Sequence, residues 1–421
     1  MLLNIIFVLI LQVSLSVPKS LSKCEIPISS KDREHYRLQW PLVFTKSGGE
    51  LFATNLSKAG AIQVTIDEDA EVLLSCGPNY FKKFYKIEVL TATCNGATGN
   101  FTIKSKGGSN IAEGTEMNIK ELTCDLRVIE EVLTPVKGCS DDENRLTSSS
   151  FGYLDPLEQV SLVLGEACYD TAAGVTLWAH IKLGRNAAAG YLQKADKSFL
   201  TAHQHPDGRY KIDLFRGLHF DELYDRIRSQ LHTTATPALK ISNYVNDLLL
   251  NNAQFQAVKK LGWNYFVSDV DLHVLDTLRE DIQSLSGNID LELYVGAHNV
   301  LKLEGSGGEV MELYLHAAPK IIAEKTAQTQ RFPVPSLVWL MVRHQDKATV
   351  FGVFNNAAIS KEEIKRRGLC NSVCEQVTWL LETNKLNASE KTPLICCSHA
   401  EWVQAVKGFP KHLEGINEYL L

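Results

Sequence analysis

The chain has 421 residues, of which 45% are hydrophobic and 22% are charged. This is the composition of a globular protein, and the length accommodates two domains, each with its own core. The net charge of −6 excludes the overall excess of lysine and arginine that nucleic-acid-binding proteins usually carry.

The first predicted element is a secretory signal at residues 1–17. An almost uncharged apolar run over 2–13 is too short to span a bilayer, and the small residues Ser14 and Ser16 follow it. No later segment is apolar for long enough to cross a membrane, so we predict a secreted, extracellular protein without membrane contact. Ten cysteines agree with an oxidising compartment, as do three N-glycosylation sequons, at Asn55, Asn100 and Asn387.

Residues 22–140 are predicted to form a small β-rich domain. Short runs with β-branched or aromatic residues alternate with turn signals such as Ser47-Gly48-Gly49. No long amphipathic helix interrupts them, which favours a β-sandwich or β-roll. The predicted strands are 43–45, 50–53, 61–66, 71–75, 86–93 and 100–104. The polar segment 141–152, which contains three consecutive serines, is predicted to be a linker.

The second domain, 153–421, mixes strands and helices without a regular strand–helix–strand rhythm, which indicates an α+β fold. Leu275, Leu278, Ile282 and Leu285 recur at helical spacing. The predicted helices are 220–231, 272–285, 360–367 and 374–381, and the predicted strands are 175–181, 291–296, 312–316, 337–342 and 349–354.

Four cysteines lie close together near the end of the chain: Cys370, Cys374, Cys396 and Cys397. Paired among themselves they allow three connectivities, and the sequence does not choose among them. Together with His399 they also fit a zinc site. In a secreted chain, disulfides are the preferred interpretation.

Several motifs of the second domain, taken in order, carry a family resemblance. They are Cys168-Tyr169-Asp170 leading into 176–180, the run 290–297, the Pro333-x-Pro335 strand, the next strand ending in Asn355-Asn356, and the tail from Cys370 to Cys397. On these motifs the domain resembles the secreted arthropod branch of the DNA/RNA non-specific endonucleases, including salivary nuclease-like proteins of biting flies. The resemblance implies a ββα-metal nuclease-like domain with a mixed or antiparallel sheet flanked by helices.

The catalytic motif that the resemblance implies is degenerate in this chain. The family's Asp-Arg-Gly-His run falls on Asn251, Asn252, Ala253 and Gln254. In active members the histidine is the general base, and a carboxamide such as that of Gln254 cannot take its place. Losing a general base costs roughly 10² to 10⁴ in rate, so we expect an inactive or weakly active endonuclease.

The resemblance also implies a site for one divalent cation. The family's metal-binding asparagine falls near Asp271, whose carboxylate is able to ligate Mg²⁺. The family's glutamate falls near Arg279, which would oppose a cation. A shift of one residue in the register would place Glu280 there instead.

Three further groups are weaker candidates. Asp269, Asp271 and His273 alternate, so in an extended segment they would share one face and could form a metal or acid–base site. His203 and His205 lie two residues apart, near Asp207, and are interpreted as solvated loop residues. The pair Asn355-Asn356 is interpreted as a structural turn.

A locally cationic segment supplies the candidate contacts to nucleic acid. Between Lys182 and Arg228, nine lysines and arginines oppose six acidic residues, a surplus of three. The predicted contact residues are Lys182, Arg185, Arg209, Lys211 and Arg216. Three functions stay open: binding of DNA or RNA with little or no hydrolysis, hydrolysis by substitute residues, and interaction with a protein partner on a retained nuclease scaffold.

Overall fold

A computed structural model describes the two predicted regions as antiparallel sheets with a few helices. The described residues are 23–29, 40–45, 54–56, 62–76, 80–84, 86–104, 114–125, 131–136, 139, 146–154, 161–170, 175–183, 203–204, 211–212, 220–231, 239–243, 264–316, 331–355, 369–383, 394–406, 409–410, 413, 416 and 418–421.

Two sheets near the N-terminus share one hydrophobic core, as predicted for a sandwich. One sheet has the order β1-β4-β3 and the other has the order β2-β5-β6-β7-β8. The strands are β1 (Lys23–Ser29), β2 (Leu42–Thr45), β3 (Thr54–Leu56), β4 (Ile62–Asp67), β5 (Glu71–Ser75), β6 (Val89–Asn95), β7 (Asn100–Lys104) and β8 (Thr115–Met117).

The shared core receives alternate residues of β6 and β7, whereas β5 is buried at four consecutive residues. Ile26 and Ile66 of the smaller sheet pack in the same cluster as Leu74 and Phe101 of the larger one. The disulfide Cys24–Cys94 joins the two sheets, and Cys76–Cys124 closes a second loop. The predicted strands 71–75 and 100–104 have the observed bounds, whereas 50–53 lies outside the described residues.

The second region is organised around an eight-stranded antiparallel sheet with the order β24-β23-β22-β17-β12-β11-β10-β9. Its strands are β9 (Glu131–Val136), β10 (Leu146–Leu154), β11 (Ser161–Asp170), β12 (Val175–Leu183), β17 (Leu291–Val300), β22 (Pro335–His344), β23 (Lys347–Phe354) and β24 (Leu394–Cys397). The α+β class predicted from the sequence is confirmed.

Part of the segment predicted as a linker is a strand of this sheet. Ser148 pairs with Cys168 on β11 and with Val136 on β9. The prediction rested on polar side chains, but the sheet is held by main-chain hydrogen bonds, which serine supplies as well as valine does. The domain boundaries at 140 and 153 stay predictions, and β9 lies on the N-terminal side of them.

Small hairpins and helices connect the strands of the large sheet. The hairpins pair β13 (His203–Gln204) with β14 (Lys211–Ile212), β15 (Leu239–Asn243) with β16 (Asn264–Ser268), β18 (Lys302–Glu304) with β19 (Val310–Glu312), and β20 (Tyr314–His316) with β21 (Arg331–Pro333). The helices are α1 (Phe220–Leu231), α2 (Asp269–Ser286) and α3 (His399–Ala405). In the described part of the chain, none of the helices has both the length and the apolar character needed to cross a membrane.

One face of the large sheet is covered by α2. Leu275, Leu278 and Ile282 of the helix pack against Ile181 and Val295 of the sheet. This is the apolar stripe predicted for 272–285, and the helix extends slightly beyond it at both ends.

The other face of the sheet is covered by the C-terminal segment, and buried tryptophans lie in the core between the two. Gly296 and Gly352 have no side chain, and the rings of two of these tryptophans occupy the space beside them. A Cβ atom on Gly296 would lie 2.3 Å from the ring of Trp339, and one on Gly352 would lie 2.7 Å from the ring of Trp402. Trp402 belongs to α3, so the packing at Gly352 fixes that helix on the sheet.

The edge strand β24 is fastened on both faces by disulfides. Cys396 lies in the core on the α2 side and bonds to Cys374, whereas Cys397 lies in the opposite core and bonds to Cys370. Neighbouring residues of a strand point to opposite faces, so the two adjacent cysteines link β24 to the packed segments on both sides of the sheet. The zinc alternative is therefore wrong, since all four sulfurs are in disulfides.

Two predictions for the end of the chain have different outcomes. The predicted helix 374–381 is wrong, because the structure has a single 3₁₀ turn there, Cys374–Gln376. The Cys374–Cys396 bond and the hydrogen bond from the N–H of Val373 to the carbonyl of Cys396 hold this segment along the sheet edge. The predicted helix 360–367 lies outside the described residues.

Candidate functional site

The segment with the degenerate motif lies within a strand–strand–helix unit. Strands β15 and β16 pair antiparallel, from Leu239 opposite Ser268 to Asn243 opposite Asn264. Helix α2 begins at the next residue, Asp269. The connection between the strands, 244–263, carries Asn251, Asn252, Ala253 and Gln254 and lies outside the described residues. The order of two strands and a helix is the one that the ββα prediction requires.

The alternating candidate site at the start of α2 is wrong. Asp269, Asp271 and His273 were expected to share a face in an extended chain, but all three lie in the helix. Successive helical residues turn by about 100°, so these three positions do not fall on one side of the backbone as they would in a strand. Two carboxylates in the first turn favour helix formation there because they face the positive end of the helix dipole.

At the position of the family's glutamate, α2 carries a buried cation. Arg279 is 1% exposed and forms an ion pair with Asp276, one turn earlier. Glu280, the alternative by a one-residue shift, is exposed to solvent. A buried guanidinium disfavours a divalent cation nearby because the two charges repel each other.

The exposed surface of α2 is acidic. His273, Asp276 and Glu280 follow one another at helical spacing on the side away from the core. We call these three residues the acidic face of α2. The ion pair with Arg279 offsets the charge of Asp276, so the net negative charge of this face comes from Glu280. A negative charge there gives no attraction for phosphate groups.

A buried carboxylate anchors the opposite side of the same helix. Asp281 is 3% exposed, and its two oxygens accept the backbone N–H groups of Glu382 and Thr383, at 3.1 and 2.9 Å. Asp281 therefore holds α2 against the segment that follows the 3₁₀ turn, which is a structural role.

The predicted cation Lys182 lies on the other side of the sheet from α2. Its neighbours Ile181 and Leu183 point into the core that α2 covers, so the exposed Lys182 side chain points to the opposite face. The structure thus separates Lys182 from Asp271. The other predicted contacts cannot be placed: Arg185, Arg209 and Arg216 lie outside the described residues, and only the backbone of Lys211 is described, in β14.

Next to Lys182 the sheet brings together charged residues that sequence analysis missed. Glu292 lies on β17, between two neighbouring strands. It is opposite Lys182 of β12 on one side and opposite Arg343 of β22 on the other. Arg343 donates from Nη1 to Oε2 of Glu292 at 3.1 Å, and both side chains are partly exposed. Lys182, Glu292 and Arg343 form what we call the charged row. The residues of the ion pair are 51 positions apart, so only the sheet register could have predicted the contact.

A second polar row lies one step further into the sheet. Glu166, His180 and Tyr294 are in register on three adjacent strands. The rings of His180 and Tyr294 stack with their centroids 4.0 Å apart. Burial, followed by the charge of Glu292, raises the pKa of the Tyr294 hydroxyl. Tyr294 therefore stays protonated at neutral pH and acts as an aromatic and hydrogen-bonding group rather than as an anion.

Two groups of candidates remain, the pair Asn355-Asn356 and the histidines His203 and His205. Asn355 is buried, and its Nδ2 donates to the carbonyl of Pro335 at 2.9 Å, which confirms the structural interpretation. His203 lies in strand β13 rather than in a loop, and only its backbone is described. Asn356 and His205 lie outside the described residues.

The described residues do not assemble a site for Mg²⁺. No three side chains of His, Cys, Asp or Glu within these residues are placed to hold one ion together. The side chain of Asp271 and the connection 244–263 lie outside what the structure describes, so the Mg²⁺ site implied by the resemblance stays a prediction, and we derive no catalytic step through it.

The fold and the site define an α+β protein with a strand–strand–helix unit on one face of an antiparallel sheet. No protein-family model matches the chain, and no curated protein matches its sequence. Among solved structures, the chain has a similarity to the crystal structure of the EndoG/EndoGI complex, which concerns the mechanism of EndoG inhibition. The TM-score is 0.28 and the identity 12%, over 48% of this chain and 80% of that one. A TM-score this low identifies no family.

Proposed function

We propose that this is a secreted protein of nuclease-like fold that binds the backbone of DNA or RNA and has lost most or all phosphodiester hydrolysis. The observation that carries the proposal is the strand–strand–helix unit β15–β16–α2, with Gln254 in the connection where the resembling family has its histidine.

The loss of hydrolysis is supported at two positions. The amide of Gln254 has no basic atom that could deprotonate water. On α2, Arg279 is buried in an ion pair with Asp276, and Glu280 faces solvent. The proposed protein therefore has neither the general base nor the charge pattern of a cation site.

Backbone binding is supported by the cations on the sheet face opposite α2. Lys182 is exposed there, and the side chain of Arg343 is 23% exposed and paired with Glu292. Phosphate contacts of this kind release counterions, so the affinity must fall as salt rises.

The test is filter binding of labelled single- and double-stranded DNA and RNA at several salt concentrations. We expect binding that weakens with salt. Lys182→Glu should weaken it further, whereas Lys302→Glu, a change at an exposed lysine of β18, should have a smaller effect. Absence of binding, or affinity that does not respond to salt, would exclude the proposal.

Hydrolysis is tested separately, with plasmid and RNA substrates and added Mg²⁺. We expect little or no cleavage by the natural chain. Mg²⁺-dependent cleavage that disappears in Asp271→Ala would instead establish an enzyme that uses substitute residues.

The acidic face of α2 favours a second candidate function, the binding of a basic protein partner. Glu280 presents negative charge on the exposed side of the helix, away from the sheet core, and Asp276 beside it is paired with Arg279. If polyanions leave the thermal stability unchanged while a basic protein raises it, and Glu280→Lys abolishes the increase, this second function is correct.

A further inference from the structure

We propose that Asn100 is an occupied N-glycosylation site, and that the first sugar residue lies beside Asn118 at the edge of the five-stranded sheet. Asn100, Phe101 and Thr102 form an acceptor sequon at the start of β7. The proposal is independent of nucleic-acid binding, because it concerns only the N-terminal sheets.

The acceptor stands at the start of β7, and its side chain points away from the core. The turn 96–99 precedes it, and Phe101 and Ile103 point into the core. By strand alternation Asn100 and Thr102 share the solvent face, and both are half-buried. An oligosaccharide at Asn100 therefore displaces no core side chain.

The acceptor amide is already oriented by two exposed neighbours. Nδ2 of Asn100 donates to Oε1 of Glu116 at 3.2 Å, and Oδ1 of Asn100 accepts from Nδ2 of Asn118 at 3.1 Å. The two contacts fix the plane of the amide on the protein surface. Glu116 also accepts from Asn95 at 3.4 Å, which ties the network to the preceding turn.

The covalent step is a glycosyl transfer from a lipid-linked oligosaccharide diphosphate, catalysed by the transferase of the secretory pathway. Nδ2 of Asn100 forms a bond to the anomeric carbon of the sugar, and the bond from that carbon to the diphosphate oxygen breaks. The lipid diphosphate leaves with the electron pair, and Nδ2 gives one proton to a base of the transferase. The remaining N–H of the amide can still donate to Glu116.

The position of the sugar follows from amide geometry. In a secondary amide the hydrogen lies opposite the carbonyl oxygen, so the anomeric carbon lies on the same side as Oδ1. Asn118 is the residue that donates to Oδ1, and it directly follows β8. Among the described strands β8 is an edge of the sheet, and a bulky hydrophilic group there hinders pairing with other strands.

Of the three sequons, only Asn100 can be judged from its side chain. Asn55 lies in β3, where the backbone alone is described, and Asn387 lies outside the described residues.

The test is expression of the full chain in secretory eukaryotic cells, followed by peptide-N-glycosidase treatment and peptide mass spectrometry. We expect the Asn100 peptide to carry a glycan and to be converted to aspartate by the enzyme. Asn100→Gln and Thr102→Ala should each lose one glycan. Asn95→Gln and Asn118→Gln, which alter neighbours outside the sequon, should retain it.

The site assignment is overturned if the secreted natural chain has an unmodified Asn100, or if Thr102→Ala carries as many glycans as the natural chain. Thr102→Ala keeps the Asn100, Glu116 and Asn118 side chains, so it decides the question even if Asn100→Gln fails to fold. Amide exchange in 115–117 should be slower in the glycosylated chain than in Thr102→Ala. Equal exchange rates would overturn the proposed position of the sugar.

Discussion

Replacing Asp281 by alanine should destabilise the protein by about 3 kcal/mol. The carboxylate is 3% exposed and accepts two backbone N–H groups, from Glu382 and Thr383. A hydrogen bond to a charged group contributes about 1.5–3 kcal/mol. The lower value applies to each of the two bonds because the neighbouring Leu381 is 64% exposed, so water reaches this segment and replaces part of what is lost.

The assay is urea unfolding of the oxidised protein, with the midpoint compared at constant slope. Glu280→Ala is the matched control, since it removes a carboxylate from the adjacent, exposed position of α2 and should change stability by less than about 0.5 kcal/mol. Asp281→Asn should fall between the two, because it keeps one acceptor oxygen. If Asp281→Ala and Glu280→Ala unfold at the same urea concentration, the anchoring role of Asp281 is refuted.

Three further predictions concern the second face of the sheet and its edge. Gly352→Ala should cost about 1–3 kcal/mol in urea unfolding, because its Cβ would lie 2.7 Å from the ring of Trp402. Replacing both Cys374 and Cys396 by serine removes a cross-link between residues 22 positions apart and should cost about 3 kcal/mol, measured with the other disulfides oxidised. Burial, followed by the charge of Arg343, lowers the pKa of His399 below its ordinary value of 6.5. As the pH falls below 6.5, the unfolded chain therefore binds more protons than the folded chain, and the free energy of unfolding should decrease. The midpoint of urea unfolding should be lower at pH 5 than at pH 7, and His399→Gln should make this difference smaller.

Two elements have the bounds that the sequence predicted, helix α1 at Phe220–Leu231 and strand β5 at Glu71–Ser75. In α1 the helical spacing of the apolar residues determines the type of element. Strand β5 is a short apolar run that is buried at four consecutive residues, so its length and its neighbouring turn signals predicted it rather than an alternation. The serines of β10 had no such signal, because their contribution to the sheet comes from the backbone.

The candidate site was harder to predict, because its features depend on contacts distant in sequence. The alternation of Asp269, Asp271 and His273 has the period of a strand, but the apolar stripe that continues through Ile282 makes the segment helical. The pair Glu292–Arg343 exists only through the register of β17 with β22. The assignment of the degenerate motif to residues 251–254 comes from the family resemblance and lies outside the described residues, so it stays a prediction.

The proposed contacts to phosphate and to a basic protein lie on different sides of the large sheet. In this fold the sheet provides that separation: alternation along β12 sends Ile181 toward α2 and Lys182 to the opposite side. The charged row has one acid, Glu292, between its two cations, so its net charge is +1. Ions in solution screen exposed charges over about 8 Å at physiological ionic strength, so a partner that approaches one side of the sheet is affected mainly by the exposed charges on that side. The proposed binding of nucleic acid depends on the side with Lys182 and Arg343, and the proposed binding of a basic protein depends on the side with Asp276 and Glu280. Lys182→Glu and Glu280→Lys therefore separate the two proposed functions.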